Sequence, residues 1–173
     1  MAIKPEKLYH GSSFRIEGLL KPVLQRATED HIHQQPSVFG TERADVAGLF
    51  MFPPDILTSI GFEQDIAYIC IWGTLEEFIP KNTSGFLYTL SSATFEKVGK
   101  EYEWQSFEPA TPIEVKEFPQ SIAGMMSLGI QVYFINDDIL FDKIVADKNN
   151  RTPILKSLIS ENQKLGINIK LFI

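Results

Sequence analysis

The stretch Leu8-Tyr9-His10-Gly11-Ser12-Ser13 is a short apolar segment that opens into glycine and serine. This pattern predicts a strand that runs into a loop. At the strand end, the His10 ring offers a hydrogen-bond donor, and Gly11 leaves its backbone N–H and C=O accessible because it has no Cβ. A planar carboxamide, with one donor and one acceptor, matches such a glycine. Taken alone, the tripeptide is also typical of a turn after a strand.

A second segment, Val38-Phe39-Gly40-Thr41, predicts a short extended stretch that carries an aromatic side chain. Thr41 is expected to cap a helix from Glu42 to Phe52, because threonine is a favoured N-cap residue. Leu49 and Phe50 are predicted to share the apolar face of that helix. The extended aromatic and this face would form two walls of a slot in which a flat ring stacks. Each of these apolar side chains, taken singly, is more typical of a core.

A third segment, Glu101 to Phe107, alternates as a strand does and places Glu101 and Glu103 on one face. An exposed strand carboxylate can accept a hydrogen bond from a ribose hydroxyl and stabilise a positively charged oxocarbenium ion. Two carboxylates on one face are also typical of a face that simply contacts water. The segment therefore indicates chemistry only in combination with the other two.

The rest of the chain predicts further strands and helices in mixed order. Strands are expected over Ile66–Trp72, Phe86–Leu90, Ile113–Phe118, Ile130–Ile135 and Ile167–Ile173. Helices are expected over Gln120–Leu128, Asp137–Val145 and Pro153–Lys164, with a turn or short helix over Leu75–Ile79 and a short turn over Asp55–Ile60. Strands mostly in the middle, with helices early and late, suit an α+β fold with largely antiparallel sheets, in a single domain over residues 1–173.

Composition narrows the function classes. The net charge is −6 and the basic residues form no cluster, which argues against a nucleic-acid backbone as a partner. The one cysteine, Cys70, lies in an apolar run and is expected to be a buried hydrophobe rather than a nucleophile. No segment has the roughly 20 apolar residues of a membrane-spanning helix, and no signal peptide is evident. A cytoplasmic location is therefore expected, although secretion by a route without such a signal is compatible with the sequence.

One polar stretch has the character of metal ligands. Asp30, His31 and His33 lie within four residues of each other in a polar loop. Such a group does not make a metal site without further ligands from elsewhere in the chain. No metal is therefore predicted.

In order and spacing, the three segments together resemble the ADP-ribosyltransferase fold in its histidine–tyrosine–glutamate branch, the branch of diphtheria-toxin-like enzymes and poly-ADP-ribose polymerases. Leu8 to Ser12 is similar to that branch's first strand, and Val38 to Phe50 to its second conserved block. Glu103-Trp104, followed by Pro112 to Val115, resembles the strand that bears its catalytic glutamate. The resemblance covers roughly the first two-thirds of the chain. It implies two mainly antiparallel sheets flanking an NAD cleft, with peripheral helices.

The resemblance implies a role for each matching polar position. His10 would hydrogen-bond the nicotinamide-side ribose, and Gly11 would hold the carboxamide of NAD through its backbone. Ser12 would touch the same ribose or the diphosphate, and Thr41 counts with these NAD-binding residues. Glu103 would be the catalytic glutamate, with the other glutamate of that strand as its nearest rival.

The aromatic positions depart from the family pattern. Phe39 and either Leu49 or Phe50 stand where the family has two ring-stacking tyrosines. Phenylalanine can still stack, since stacking needs only the face of the ring. Any task of a tyrosine hydroxyl would be lost, unless Tyr68 or Tyr88 supplied a ring from another strand. The departure affects turnover more than fold.

The implied activity is mono-ADP-ribosyl transfer. NAD would lose nicotinamide through an oxocarbenium-like transition state, and ADP-ribose would pass to a macromolecular acceptor, a protein rather than a nucleic acid, as in a toxin or effector. Two alternatives stay open on the same or a related fold. One is a module that binds NAD or ADP-ribose without turnover. The other is a relative of the RNA 2′-phosphotransferases, for which Arg15, Arg26 and Arg43 are the available basic residues.

Overall fold

The structure, a computed structural model, describes residues 4–24, 35–63, 65–98, 102–146, 153–157 and 160. Its strands are β1 (Lys7–Ser12), β2 (Val38–Thr41), β3 (Thr58–Glu63), β4 (Ile66–Trp72), β5 (Gly85–Ser91), β6 (Glu96–Lys97), β7 (Glu103–Ser106), β8 (Pro112–Phe118) and β9 (Gln131–Ile135). Its helices are α1 (Ala44–Gly48), α2 (Leu75–Phe78), α3 (Ser121–Ser127) and α4 (Asp138–Ala146), with a 3-10 turn at Ile79–Lys81.

The strands form two sheets. The larger has six strands in the order β6-β7-β2-β1-β5-β8, and the smaller has three in the order β3-β4-β9. All pairs in the larger sheet are antiparallel, whereas the smaller sheet joins an antiparallel β3–β4 pair to a parallel β4–β9 pair. The predicted α+β class with two mainly antiparallel sheets is confirmed. Strand β1, which carries His10 and Gly11, lies inside the larger sheet between β2 and β5.

Strand β4 is buried on both faces. Ala67, Ile69 and Ile71 belong to the core that also contains Leu87 of the larger sheet and residues of α1 and α3. The alternate residue Cys70 belongs to a second cluster, which α4 closes. Burial on both faces explains why this strand is a continuous apolar run rather than an alternating one. The expectation that Cys70 is a buried hydrophobe is confirmed.

The other face of the larger sheet has its own apolar cluster, which includes Leu8, Val38, Tyr88 and Trp104. The segment that follows β1 crosses this face. The Tyr88 hydroxyl accepts a hydrogen bond from the Ile16 N–H at 2.7 Å. Tyr88 is fully buried as a result, so this segment is fastened to the centre of the sheet.

Helix α1 is shorter than predicted. It begins at Ala44 and ends at Gly48, and its N-cap residue is Arg43 rather than Thr41. Thr41 Oγ1 instead accepts a hydrogen bond from the Arg43 N–H, just before the helix begins. The shared apolar face predicted for Leu49 and Phe50 is wrong, since Leu49 is 4% exposed and Phe50 is 58% exposed. Glycine is a poor helix former, and beyond Gly48 the chain leaves the helix, so the two side chains diverge.

Two strand boundaries also differ from the predictions. Residues 58–60, expected in a turn, begin β3, where Thr58 and Ile60 pair with β4. Asp65, at a positive φ of 66°, makes the reversal between β3 and β4. Gly11 and Ser12, expected in a loop, stay in β1 because β5 pairs with them. In both places the pairing with a neighbouring strand overrides the local turn preference.

The remaining described elements agree with the sequence. The strands β4, β5, β8 and β9 and the helices α2, α3 and α4 lie where the patterns predict them, and residues 153–157 are helical. Several predictions concern residues outside the described ranges, namely the strand Ile167–Ile173, Glu101, Arg26 and the Asp30–His33 group. None of the helices within the described ranges combines the length and apolar character that crossing a membrane requires.

Candidate functional site

Strands β1 and β2 pair at one position, Tyr9 with Thr41, whereas β1 pairs with β5 over its whole length. The Ser92 N–H bonds the Glu6 carbonyl at the end of that ladder. This bond determines which residues of β1 hydrogen-bond to β5. The backbone groups of even-numbered residues bond to β5, and those of odd-numbered residues point toward β2. Gly11 therefore directs its N–H and C=O toward β2 at a position where β2 is no longer paired with β1.

The His10 side chain bridges this gap. Its Nδ1 lies 2.8 Å from the Phe39 carbonyl oxygen. A carbonyl oxygen only accepts, so Nδ1 carries a proton. Burial lowers the pKa of His10, and the hydrogen bond to Phe39 offsets this only in part. The ring is therefore neutral at pH 7, and Nε2 is an acceptor, where the sequence suggested a donor.

Gly11 is in close contact with the end of α1. A Cβ at Gly11 would lie 1.8 Å from the Ala47 carbonyl oxygen and 3.4 Å from the Phe50 Cβ. No side chain could occupy that space, so only glycine lets α1 approach β1 here. The contact holds Phe50, which is largely exposed, beside the backbone of Gly11.

Strand register brings Phe39 and Glu103 to the same face as Gly11. On β7, Gln105 pairs with Phe39 and Glu103 with Thr41. Directly opposed residues of antiparallel strands project their side chains to one face, and this face is the one that carries α1. Glu103 lies two strands from β1, which corresponds to about 10 Å.

The Glu103 carboxylate is unengaged in a charged neighbourhood. Within the part of the chain that the structure describes, it has no hydrogen-bond or ion-pair partner. Nearby charges are paired with one another: Arg43 with Asp45 at 2.5 Å and Lys97 with Glu42 at 3.3 Å. Glu103 is only partly buried, so its side chain retains some contact with solvent.

An arginine clamp contacts Tyr102, the residue before Glu103, and no local sequence pattern predicted it. The Arg43 guanidinium lies 5.0 Å from the centre of the Tyr102 ring and 5.6 Å from that of Phe62. Its hydrogen bond with Asp45 raises the pKa of Arg43 further above its ordinary value. These residues meet only through the fold, since the clamp joins the start of α1 to the tip of the β3–β4 hairpin and to β7.

The alternatives for the second ring are distinguished by burial. Leu49 packs in the core between the sheets, and Tyr68 and Tyr88 are 3% and 0% exposed. All three side chains are therefore buried. Among the residues considered from the sequence, Phe39 and Phe50 are the rings beside Gly11.

The two hydroxyl residues of the predicted NAD site are engaged in local turns. Ser12 Oγ accepts a hydrogen bond from the Phe14 N–H at 3.1 Å, and Thr41 Oγ1 accepts one from the Arg43 N–H at 3.3 Å. Each hydroxyl keeps its own proton to donate. By strand alternation Ser12 points to the face opposite Gly11, and Thr41 is buried, so both lie at the margin of the site.

Comparisons with known proteins yield no match for this chain, whether with protein-family models, curated proteins or solved structures. Among the described residues, no group of three or more His, Cys, Asp or Glu side chains is placed to hold a metal ion. The functional inference therefore depends on the geometry at the β1–β2 gap.

Stability should report the neutral state of His10. Because burial lowers its pKa, the unfolded chain binds a proton here more readily than the folded protein does as the pH falls below about 6.5. We expect the free energy of unfolding, from urea titrations, to fall between pH 7 and pH 5 more steeply in the wild type than in His10→Gln. Equal slopes in the two proteins would contradict the assignment.

Proposed function

We propose that this chain is an NAD-dependent mono-ADP-ribosyltransferase of the histidine–tyrosine–glutamate type, built on the ADP-ribosyltransferase fold. The observation that carries the proposal is the gap between β1 and β2 at Gly11. There the backbone of Gly11, beyond the one β1–β2 pair at Tyr9 and Thr41, lies beside Phe50, with Phe39 on the same face of the sheet. Glu103, an unengaged carboxylate, lies on the same face one strand farther on.

The spacing of the strands supports nicotinamide as the bound group. In the proposal its carboxamide bonds the N–H and C=O of Gly11, and its ring lies between Phe39 and Phe50. The two strand spacings from Gly11 to β7, about 10 Å, match the reach of an amide hydrogen bond followed by the length of the ring. The glycosidic bond of NAD then lies over β7, beside Glu103.

Glu103 would act on the ribose. The bond between ribose C1′ and the nicotinamide nitrogen breaks, and its electron pair leaves with nicotinamide, which becomes neutral. The Glu103 carboxylate stabilises the positive charge left on the ribose. The acceptor then forms a bond to C1′, and its proton passes to Glu103. None of these reaction steps requires a metal ion.

His10 would orient the substrate through its acceptor nitrogen. His10 leaves β1 on the face opposite Gly11, beside Tyr88, and the Phe39 carbonyl holds its Nδ1 at the gap. In the proposal, Nε2 accepts the proton of a ribose hydroxyl through the gap between the strands. A neutral ring is required for this role, and burial favours it. The same bond ties β1 to β2 across the gap, so substrate binding and strand geometry depend on one side chain.

A second candidate function is NAD or ADP-ribose binding without turnover. It is favoured by the phenylalanines at both ring positions, because they stack but supply no hydroxyl. The buried positions of Tyr68 and Tyr88 leave neither available to replace that hydroxyl. Measured NAD binding in the absence of nicotinamide release would favour this function over the transferase.

An RNA 2′-phosphotransferase activity is less well supported, because the described arginines are engaged. Arg15 lines a cavity of about 330 Å3 that also contacts Val115, on the opposite face of the sheet from Gly11. Its guanidinium pairs with Glu17 at 3.0 Å and with Glu117 at 3.1 Å. A phosphate would have to compete with these carboxylates. Arg43 is likewise paired, with Asp45.

The acceptor is proposed to be a protein rather than a nucleic acid. The net charge of −6 supports this, since an acidic chain repels a phosphate backbone. The cytoplasmic location and the role as toxin or effector remain predictions of the sequence.

The Glu103→Gln variant should test turnover. We expect it to release nicotinamide from NAD about 100- to 1,000-fold more slowly than the wild type, because a neutral amide stabilises the ribose cation poorly. Glu114→Gln is the control, since Glu114 is exposed on β8 at the far side of the sheet and its loss should leave the rate unchanged. A wild-type rate in Glu103→Gln would overturn the role of Glu103.

The Phe50→Ala variant should test the stacking wall. Loss of the ring is expected to weaken nicotinamide binding by up to about tenfold, the equivalent of about 0.5–1.5 kcal/mol. Phe50→Tyr keeps the ring face and should bind as the wild type does. Phe14→Ala removes a similarly exposed ring, 65% against 58%, from the segment that crosses the opposite face of the sheet, and serves as the control. Unchanged calorimetric affinity in Phe50→Ala would exclude Phe50 from the site.

A further inference from the structure

Gln105 is a buried polar residue two positions after Glu103. It is 4% exposed and pairs in register with Phe39, so its side chain is on the same face of the sheet as Glu103 and Gly11. The intervening residue, Trp104, packs in the cluster on the opposite face. Strand geometry therefore places a carboxamide next to the proposed catalytic carboxylate.

The Gln105 carboxamide has no hydrogen-bond partner among the described residues, but it is not completely enclosed by protein. Among the side-chain atoms that the structure describes, the one fully enclosed without a partner is Ser59 Oγ, so the amide group of Gln105 still reaches accessible space. A buried amide without a partner costs free energy, and a ligand that bonds it recovers that cost.

Its neighbour Ser106 shows the contrasting case. Ser106 is fully buried, and its hydroxyl lies 3.0 Å from Thr94 Oγ1 and donates to the Glu108 carbonyl at 3.1 Å. The polar group of Ser106 is thus used inside the protein. The polar group of Gln105, by contrast, remains available to a ligand.

We infer that Gln105 is a substrate-orienting residue, whose carboxamide hydrogen-bonds a hydroxyl of the nicotinamide-side ribose of NAD beside Glu103. This inference rests on the proposed function. Side chains two residues apart on a strand are separated by about 7 Å, so Glu103 and Gln105 can lie on either side of a ribose over β7. A carboxamide both donates and accepts, which suits a sugar hydroxyl.

The test compares two probes, NAD and free nicotinamide, by calorimetry on the full chain. Gln105→Met keeps the length of the side chain and removes its hydrogen bonds. We expect NAD to bind about tenfold more weakly to this variant, with nicotinamide affinity unchanged because nicotinamide has no ribose. Ser106→Ala, on the opposite face of the same strand, is expected to leave the ratio of the two affinities at its wild-type value.

The outcomes separate the two proposals. If the wild type binds neither probe, the proposed function fails and the role of Gln105 fails with it. If the wild type binds both and Gln105→Met keeps the wild-type ratio, the transferase site stands and Gln105 is excluded from it. If Gln105→Met releases nicotinamide from NAD more slowly but binds NAD as tightly as the wild type, the inference is also overturned. Gln105 would then act on Glu103 rather than on the ribose.

Discussion

The close approach of α1 to β1 at Gly11 is the constraint on which the site depends. The Ala47 carbonyl occupies the space that a Cβ at Gly11 would need. Because α1 sits that close, Phe50 lies beside the backbone of β1, although most of its side chain is exposed. On the other side of that edge, β2 separates from β1, and His10 bridges the two strands through the Phe39 carbonyl. A helix end, a strand edge and a histidine ring thus meet at one place in the sheet.

The sequence predicted the strands better than the surroundings of the site. The apolar run of β4 and the alternation of β8 follow from burial and from strand periodicity, which are local properties. The length of α1 does not follow, because its end at Gly48 depends on packing that the sequence pattern did not show. Periodicity placed Leu49 and Phe50 on one face, and the break of the helix sends one into the core and the other to the surface.

The candidate site was predictable residue by residue but not as a geometry. His10, Gly11, Phe39 and Glu103 came from short segments, and pairing across β1, β2 and β7 relates them in space. The tautomer of His10 could not be predicted, since it depends on a carbonyl 29 residues away. Gln105 could not be predicted as a site residue, because a glutamine within a strand has no distinctive sequence pattern. The structure draws attention to it because its carboxamide is buried without a hydrogen-bond partner among the described residues.

The central claim is that the backbone edge of Gly11 binds a carboxamide, and a crystal structure of the protein soaked with nicotinamide tests it most directly. The account predicts density for the amide within hydrogen-bond distance of the N–H and C=O of Gly11, with the ring between Phe39 and Phe50. Nicotinamide bound elsewhere, with the β1–β2 gap empty or closed, would contradict it.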